Sequence, residues 1–212
     1  VALGQSKMVR WPLSGVMHIL VYIGFVLINI EILEMLVDGA LNTHRAFAFL
    51  GGFYDFLIAF FEILALGVFV GVIVFWIRRN IGRIRRFMNS ELNGFPRLDA
   101  NVILVAEMLL MTALMLMNAS DQVLQSRSHP HYTQAGSFPV STWFVPLLDN
   151  MSTPGLVFLE RFCWWTHMVG ILAFLNYLPY SKHLHIILSF PNTYYSNLEP
   201  MGKFVNPVSV TD

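Results

Sequence analysis

Four uninterrupted apolar stretches govern this sequence: about Leu13 to Val37, about Phe53 to Ile77, about Ala100 to Asn118, and a fourth that begins near Leu156 and continues through Tyr177. Each approaches or exceeds the ~20 residues that a helix needs to cross the ~30 Å hydrocarbon core of a bilayer, and none alternates with the two-residue period of a strand. In hydrocarbon every backbone N–H and C=O must be satisfied within the chain, so these stretches are expected to be helices. The expected fold is an all-α integral membrane bundle of four transmembrane helices over residues 1–190. Residues 191–212 hold three prolines, several Asn and Ser, and no sustained apolar period, which predicts an extended cytoplasmic tail or linker. Composition agrees, since 56% hydrophobic and 12% charged residues leave too little polar surface for a water-soluble globule. A formal net charge of zero gives no footing for nucleic acid. Cys163 is the sole cysteine, so an intrachain disulfide is excluded and any iron-sulfur cluster must belong to a partner. The chain opens on Val1 with no signal-peptide pattern, as expected of a fragment or processed product.

Basic residues set the expected orientation. Lys7 and Arg10 precede the first stretch, Arg78, Arg79, Arg83, Arg85, Arg86 and Arg97 separate the second from the third, and Lys182 follows the fourth. The connections 38–52 and 119–155 contain only Arg45 and Arg127. By the positive-inside rule the richer side is cytoplasmic and holds both termini.

Histidine is rare in membrane spans unless something uses it. His167 and His185 are 18 residues apart (185 − 167), which is five whole turns at about 3.6 residues per turn. On one unbroken helix they would share a face and lie ~27 Å apart, one near each membrane surface. That continuity requires the fourth helix to run, kinked at Leu178-Pro179, to about Leu188. His18 lies one to two turns inside the cytoplasmic end of the first span, at the depth expected for His185. Facing helices of a bundle can present two neutral imidazoles to opposite sides of a b-type haem, so His18 and His185 are the expected ligands of an inner haem iron. His183 would stand about 200° around the helix from His185, and the register with His167 selects His185. Near the outer surface His44 is the available partner of His167, which gives either one haem or a second, outer one. His129 and His131 read as solvated loop residues. A lone His in a span is more often a hydrogen-bonded structural group, and it is the matched depths that favour ligation here.

Buried carboxylates are costly and mark pathways, partners or protonated hydrogen bonds. Glu31 and Glu34 lie one turn apart in the outer half of the first span, and Glu160 lies near the outer start of the fourth. These three are expected to line an outer quinol or proton site. Glu62 and Glu107 read as neutral acids bonded between helices, and Trp143, Trp164 and Trp165 as interfacial belt residues.

Three segments carry a resemblance: Leu178-Pro179-Tyr180-Ser181-Lys182-His183-Leu184-His185-Ile186, Asn42-Thr43-His44-Arg45-Ala46-Phe47-Ala48-Phe49-Leu50-Gly51-Gly52, and Ala135-Gly136-Ser137-Phe138-Pro139-Val140-Ser141. The first resembles the end of the last helix in cytochrome b subunits of the nitrate reductase gamma type, which includes the heterodisulfide reductase membrane subunit. All three are similar to bacterial proteins that fuse such a membrane domain to a cytoplasmic heterodisulfide-reductase-like iron-sulfur domain. The resemblance covers most of the chain. It implies b haems, quinol oxidation near the outer surface, inward electron transfer to iron-sulfur centres, and His185 as the last family ligand. The nitrate reductase gamma subunit has five spans and two histidines ten residues apart on its second. Here four spans are visible and Ile28 stands ten residues after His18, so an upstream helix is expected to be missing and the outer ligand set differs.

Together these readings describe the cytochrome b, quinol-oxidising part of a respiratory oxidoreductase complex in a bacterial inner membrane. Its expected partners are lipid, quinone or quinol, and a cytoplasmic iron-sulfur domain or subunit. The alternative is a haem-free scaffolding subunit that keeps the fold. A transporter would show inverted repeats with broken helices, and the sequence has neither.

Overall fold

The structure, a computed structural model, describes residues 12–82 and 94–196. Within them the chain is helical and contains no strand. Four helices are long and apolar enough to cross a membrane: α1 Pro12–Leu41, α2 Gly52–Asn80, α3 Phe95–Ser126 and α5 Thr153–Tyr177, the last prolonged by a 3₁₀ turn over Leu178–Tyr180. A short α4, Val145–Leu148, lies in the loop before α5, and α6, His185–Tyr194, follows it. Lys7, Arg10, Arg83, Arg85, Arg86 and residues 197–212 lie outside the described residues.

The helices are apolar on nearly every side, as expected where lipid rather than water covers the outer surface. Leu33, Ile63, Phe158 and Phe162 point outward, while Ile28, Val68, Val72, Leu114 and Met168 close the core. Neighbours in the bundle are α1 with α2, α2 with α3, and α3 with α5. Small residues let the backbones approach: a Cβ added at Gly67 would stand 2.8 Å from Leu20 Cδ2, and one at Gly170 2.7 Å from Leu110 Cδ2.

Two boundaries differ from the sequence expectation. Helix α3 runs to Ser126 rather than stopping near Asn118, because Asn118, Asp121 and Gln125 are buried on one face and bonded to other elements. The second difference is a correction. Helix α5 ends at Tyr177 and the chain does not run on, kinked, to Leu188. Pro179 has no N–H to continue the ladder, and Ser181 turns extended (φ −104°, ψ 163°) while its hydroxyl accepts from His183 N–H at 2.9 Å. Buried Asp99 on α3 fixes the break by accepting from Tyr177 OH at 2.7 Å and from Lys182 N–H at 3.1 Å. A new helix then starts at His185. His167 and His185 therefore stand on different helices, and their five-turn register does not exist in the folded chain. Helix α6 also extends to Tyr194, into the segment expected to be a tail.

Candidate functional site

At the end of the bundle that carries Arg78, Arg79, Arg97 and Lys182, the helices diverge around a cavity of about 430 Å³. That is within the ~300–1,000 Å³ range of cofactor and ligand sites. His18 reaches it from α1, Val72 and Phe75 from α2, Ile103 and Glu107 from α3, and His183 and His185 from beyond the α5 break. The structure thus brings His18 and His185 to one cavity, although through a bent chain and not a continuous helix.

The state of the ring nitrogens separates the three histidines. His185 Nδ1 lies 2.9 Å from the Lys182 carbonyl, which can only accept, so Nδ1 is the donor and, in the neutral tautomer, Nε2 is the nitrogen left for a ligand. Iron-binding histidines are commonly fixed in this way by a backbone carbonyl. Nδ1 of His18 is buried and has no hydrogen-bond partner, an expense in a packed interior. His183 has a similarly unsatisfied Nδ1, but its Nε2 faces Glu107 Oε1 at 3.8 Å. Burial, with His185 and Lys182 adding to it, pushes the His183 pKa down to about 4, so the ring is neutral at pH 7. Among the described residues no three His, Cys, Asp or Glu side chains gather to hold a bare metal ion. Two or three imidazoles around an apolar cavity fit instead a metal that brings its own equatorial donors, which is what a porphyrin does.

The opposite end is built differently. Asp38, where α1 was expected to stop, organises the following turn by accepting from Thr43 Oγ1 at 2.7 Å, Arg45 N–H at 2.9 Å and Ala46 N–H at 3.0 Å. Arg45 takes a left-handed conformation (φ 56°) and its guanidinium enters the bundle, where it is 7% exposed. There it donates to Asp121 at 2.8 and 3.0 Å and to Asn118 at 2.8 Å, and lies 3.7 Å from Glu31. Burial opposes the Arg45 charge, but Asp121, Tyr54, Glu31 and Glu34 outweigh it and hold the group protonated well above its usual range. Glu34 accepts from Tyr54 OH at 2.7 Å and Phe47 N–H at 2.9 Å. Glu62 accepts from Asn118 at 3.1 Å, from the Val140 and Ser141 amides at 2.9 and 3.1 Å, and from the Ser141 hydroxyl. Glu160 pairs with Arg161 and accepts from Tyr132 OH at 2.9 Å.

Glu31, Glu34 and Glu160, the three acids expected to act together, do converge on one chamber, beside Asp121, His44 and Arg161. Its volume is about 30 Å³, room for a water molecule but not a quinone ring. Glu31 is 4% exposed and its Oε1 has no hydrogen-bond partner, so it is the acid that a chamber water would satisfy.

His44 and His167 are not brought together. His44 Nδ1 accepts from Thr133 N–H at 3.0 Å and Nε2 meets Asp121 Oδ1 at 3.0 Å, which occupies both nitrogens. His167 is 1% exposed, with Nδ1 3.0 Å from the Leu110 carbonyl. Their contacts on α3, Asp121 and Leu110, are separated by about 16 Å of helix at ~1.5 Å per residue, far beyond the span of two ligands on one iron. Ile28, ten residues after His18, packs in the core at 5% exposure.

Sequence reasoning did not find Arg45, Asp121, Asn118, Tyr54, Tyr132 or Asp99. The spacing of Asn118, Asp121 and Gln125, which repeats every three or four residues, is the available signal for a polar helix face. Arg45 gave none, because burial of a loop arginine depends on the turn that Asp38 builds.

No family model and no solved structure matches the chain. It is 27% identical over 209 residues to a probable iron-sulfur-binding oxidoreductase, FadF, of Bacillus subtilis (strain 168), covering 99% of this chain and 28% of that protein. It is 26% identical over 204 residues to an EtfAB:quinone oxidoreductase of Syntrophomonas wolfei subsp. wolfei, covering 94% of this chain and 27% of that one. The chain therefore spans little more than a quarter of the length of these curated relatives.

Proposed function

We propose that this chain is the membrane-embedded electron-transfer part of a quinone-linked oxidoreductase and holds one b-type haem between His18 and His185. The observation that carries the reading is the cavity of about 430 Å³ into which His18, with an unsatisfied buried nitrogen, and His185, with a free Nε2 lone pair, both open. A haem-free scaffold would fill that space with packed side chains. The similarity to an iron-sulfur-binding and to a quinone oxidoreductase supports the same class of chemistry.

The bound haem would supply one-electron acceptance and release. The chain's residues hold and tune it. The Lys182 carbonyl fixes the His185 tautomer, Asp99 holds the segment carrying His185, and the apolar side chains of α2 and α3 exclude water. At the other end, Glu31, Glu34 and Glu160 line a water-sized chamber, in which Glu31, with its unsatisfied oxygen, is the acid placed to exchange a proton with water. The basic end faces the cytoplasm of a bacterial cell and meets an iron-sulfur domain or subunit, by the positive-inside rule and by analogy with the relatives.

Purified protein should show the sharp reduced-minus-oxidised bands of a bis-imidazole b haem. His18→Ala and His185→Ala should each abolish them while the chain still inserts. Unchanged bands in either variant would assign the ligand wrongly, and no bands in the native protein would refute the proposal.

A further inference from the structure

Polarity in the large cavity is graded. Inward along α1 the lining passes from Ser14 through His18 and Val21 to Phe25, and along α2 from Arg78 through Phe75 to Val72. Arg78 donates to Ser14 Oγ at 2.7 Å, which places its guanidinium one turn nearer the mouth than His18. Lys182 stands on the facing side of the same mouth, and Arg79 donates to the Pro96 carbonyl beside it at 3.3 Å. Among the described residues no carboxylate forms a salt bridge with Arg78 or Lys182. The nearby Asp99 spends its two oxygens on Tyr177 OH and the Lys182 amide. The acid that does line the cavity, Glu107, lies on α3 two turns inward of Ala100 and faces His183. A cationic mouth, a pair of imidazoles one turn in and an apolar floor that includes an acid would accept a flat apolar body with its negative groups at one edge, in one orientation only.

We infer that Arg78 and Lys182 form a carboxylate clamp at the mouth of the cavity that would bind the propionates of the porphyrin. This rests on the haem reading above, but it makes a separate claim about which chain residues recognise which edge of the ligand. Arg78, tied to Ser14, offers its remaining guanidinium donors in a planar fork suited to a carboxylate. The same cation pattern would suit another amphiphile with an acid end, such as a fatty acid, and the test separates the two.

The full chain, purified without haem, is titrated with haem and with haem dimethyl ester, which keeps the iron and ring but lacks both carboxylates. The native protein should bind the ester at least about tenfold more weakly, since each charge-assisted hydrogen bond is worth ~1.5–3 kcal/mol. In an Arg78→Gln/Lys182→Gln variant the two porphyrins should bind alike, with the bis-imidazole spectrum retained. Lys182→Gln alone, which leaves the Lys182 backbone bonds in place, should show part of the effect and guards against a folding defect in the double variant. Equal binding of both porphyrins by the native protein would overturn the clamp and leave the haem reading intact, as would an ester penalty that persists in the double variant. Failure of either porphyrin to give an imidazole-ligated spectrum, or saturable binding of oleate instead, would overturn the haem reading and the clamp together.

Discussion

Whether a histidine can hold iron is decided by which of its ring nitrogens is already engaged. His185 has Nδ1 committed and Nε2 free, whereas His44 has both nitrogens engaged and His183 turns Nε2 to Glu107. His183→Ala should therefore keep a full haem complement where His185→Ala keeps none, as read by the haem-to-protein ratio of the purified variants; the reverse result would exchange their roles. At the other end the decisive residue is Arg45. Breaking a buried pair by removing one partner strands the other charge, so Arg45→Met should cost about 3–5 kcal/mol in detergent unfolding, and Arg45→Met/Asp121→Leu clearly less than the sum of the two single changes. The convergence of the three acids was legible from spacing, whereas His18 and His185 reach one cavity through a bent chain and not along the continuous helix that the spacing implied. Arg45 was not legible, because as a sequence it is a charge in a loop, and only the Asp38-built turn and the left-handed backbone aim it inward.

Among the elements, the break after Tyr177 has the largest consequences. Length and apolarity suffice to find the four long helices, since a bilayer imposes both. They do not reveal where α3 ends, because its last two turns are polar and yet buried by partners far along the chain. Nor do they tell a proline kink from a full stop: Pro179 permits either, and the bonds of Asp99 and Ser181 decide for the stop. That stop turns the His183–His185 segment back over the cavity. Asp99→Ala removes the acceptor of both Tyr177 OH and Lys182 N–H and should lower haem affinity about tenfold, at ~1 kcal/mol or more for the lost bonds, while far-ultraviolet circular dichroism stays unchanged. Loss of helix content instead would mean that Asp99 supports the bundle as a whole. Close helix contact has its own test. Gly67→Leu drives a side chain into Leu20 and should destabilise the α1–α2 pair by ~1–3 kcal/mol, seen as a lower detergent unfolding midpoint.

Taken whole, the molecule is a membrane-length bundle with unlike ends. One end holds basic residues, three histidines and an open cavity; the other holds carboxylates, an engaged arginine and a chamber the size of a water molecule. The core between them, with Ile28, Val68, Leu114 and Met168, is packed. Of the two chambers, the cavity lined by His18 and His185 has the size of a cofactor site and the acid chamber does not, which is why the proposed haem is placed there. The measurement that bears most directly on this is the number of b haems per chain, from pyridine haemochrome absorbance against amino-acid analysis of the same sample. One haem per chain is expected, lost together with His18 or His185 and kept when His44 is replaced. A value of zero, or of two with one haem lost on replacing His44, would contradict it.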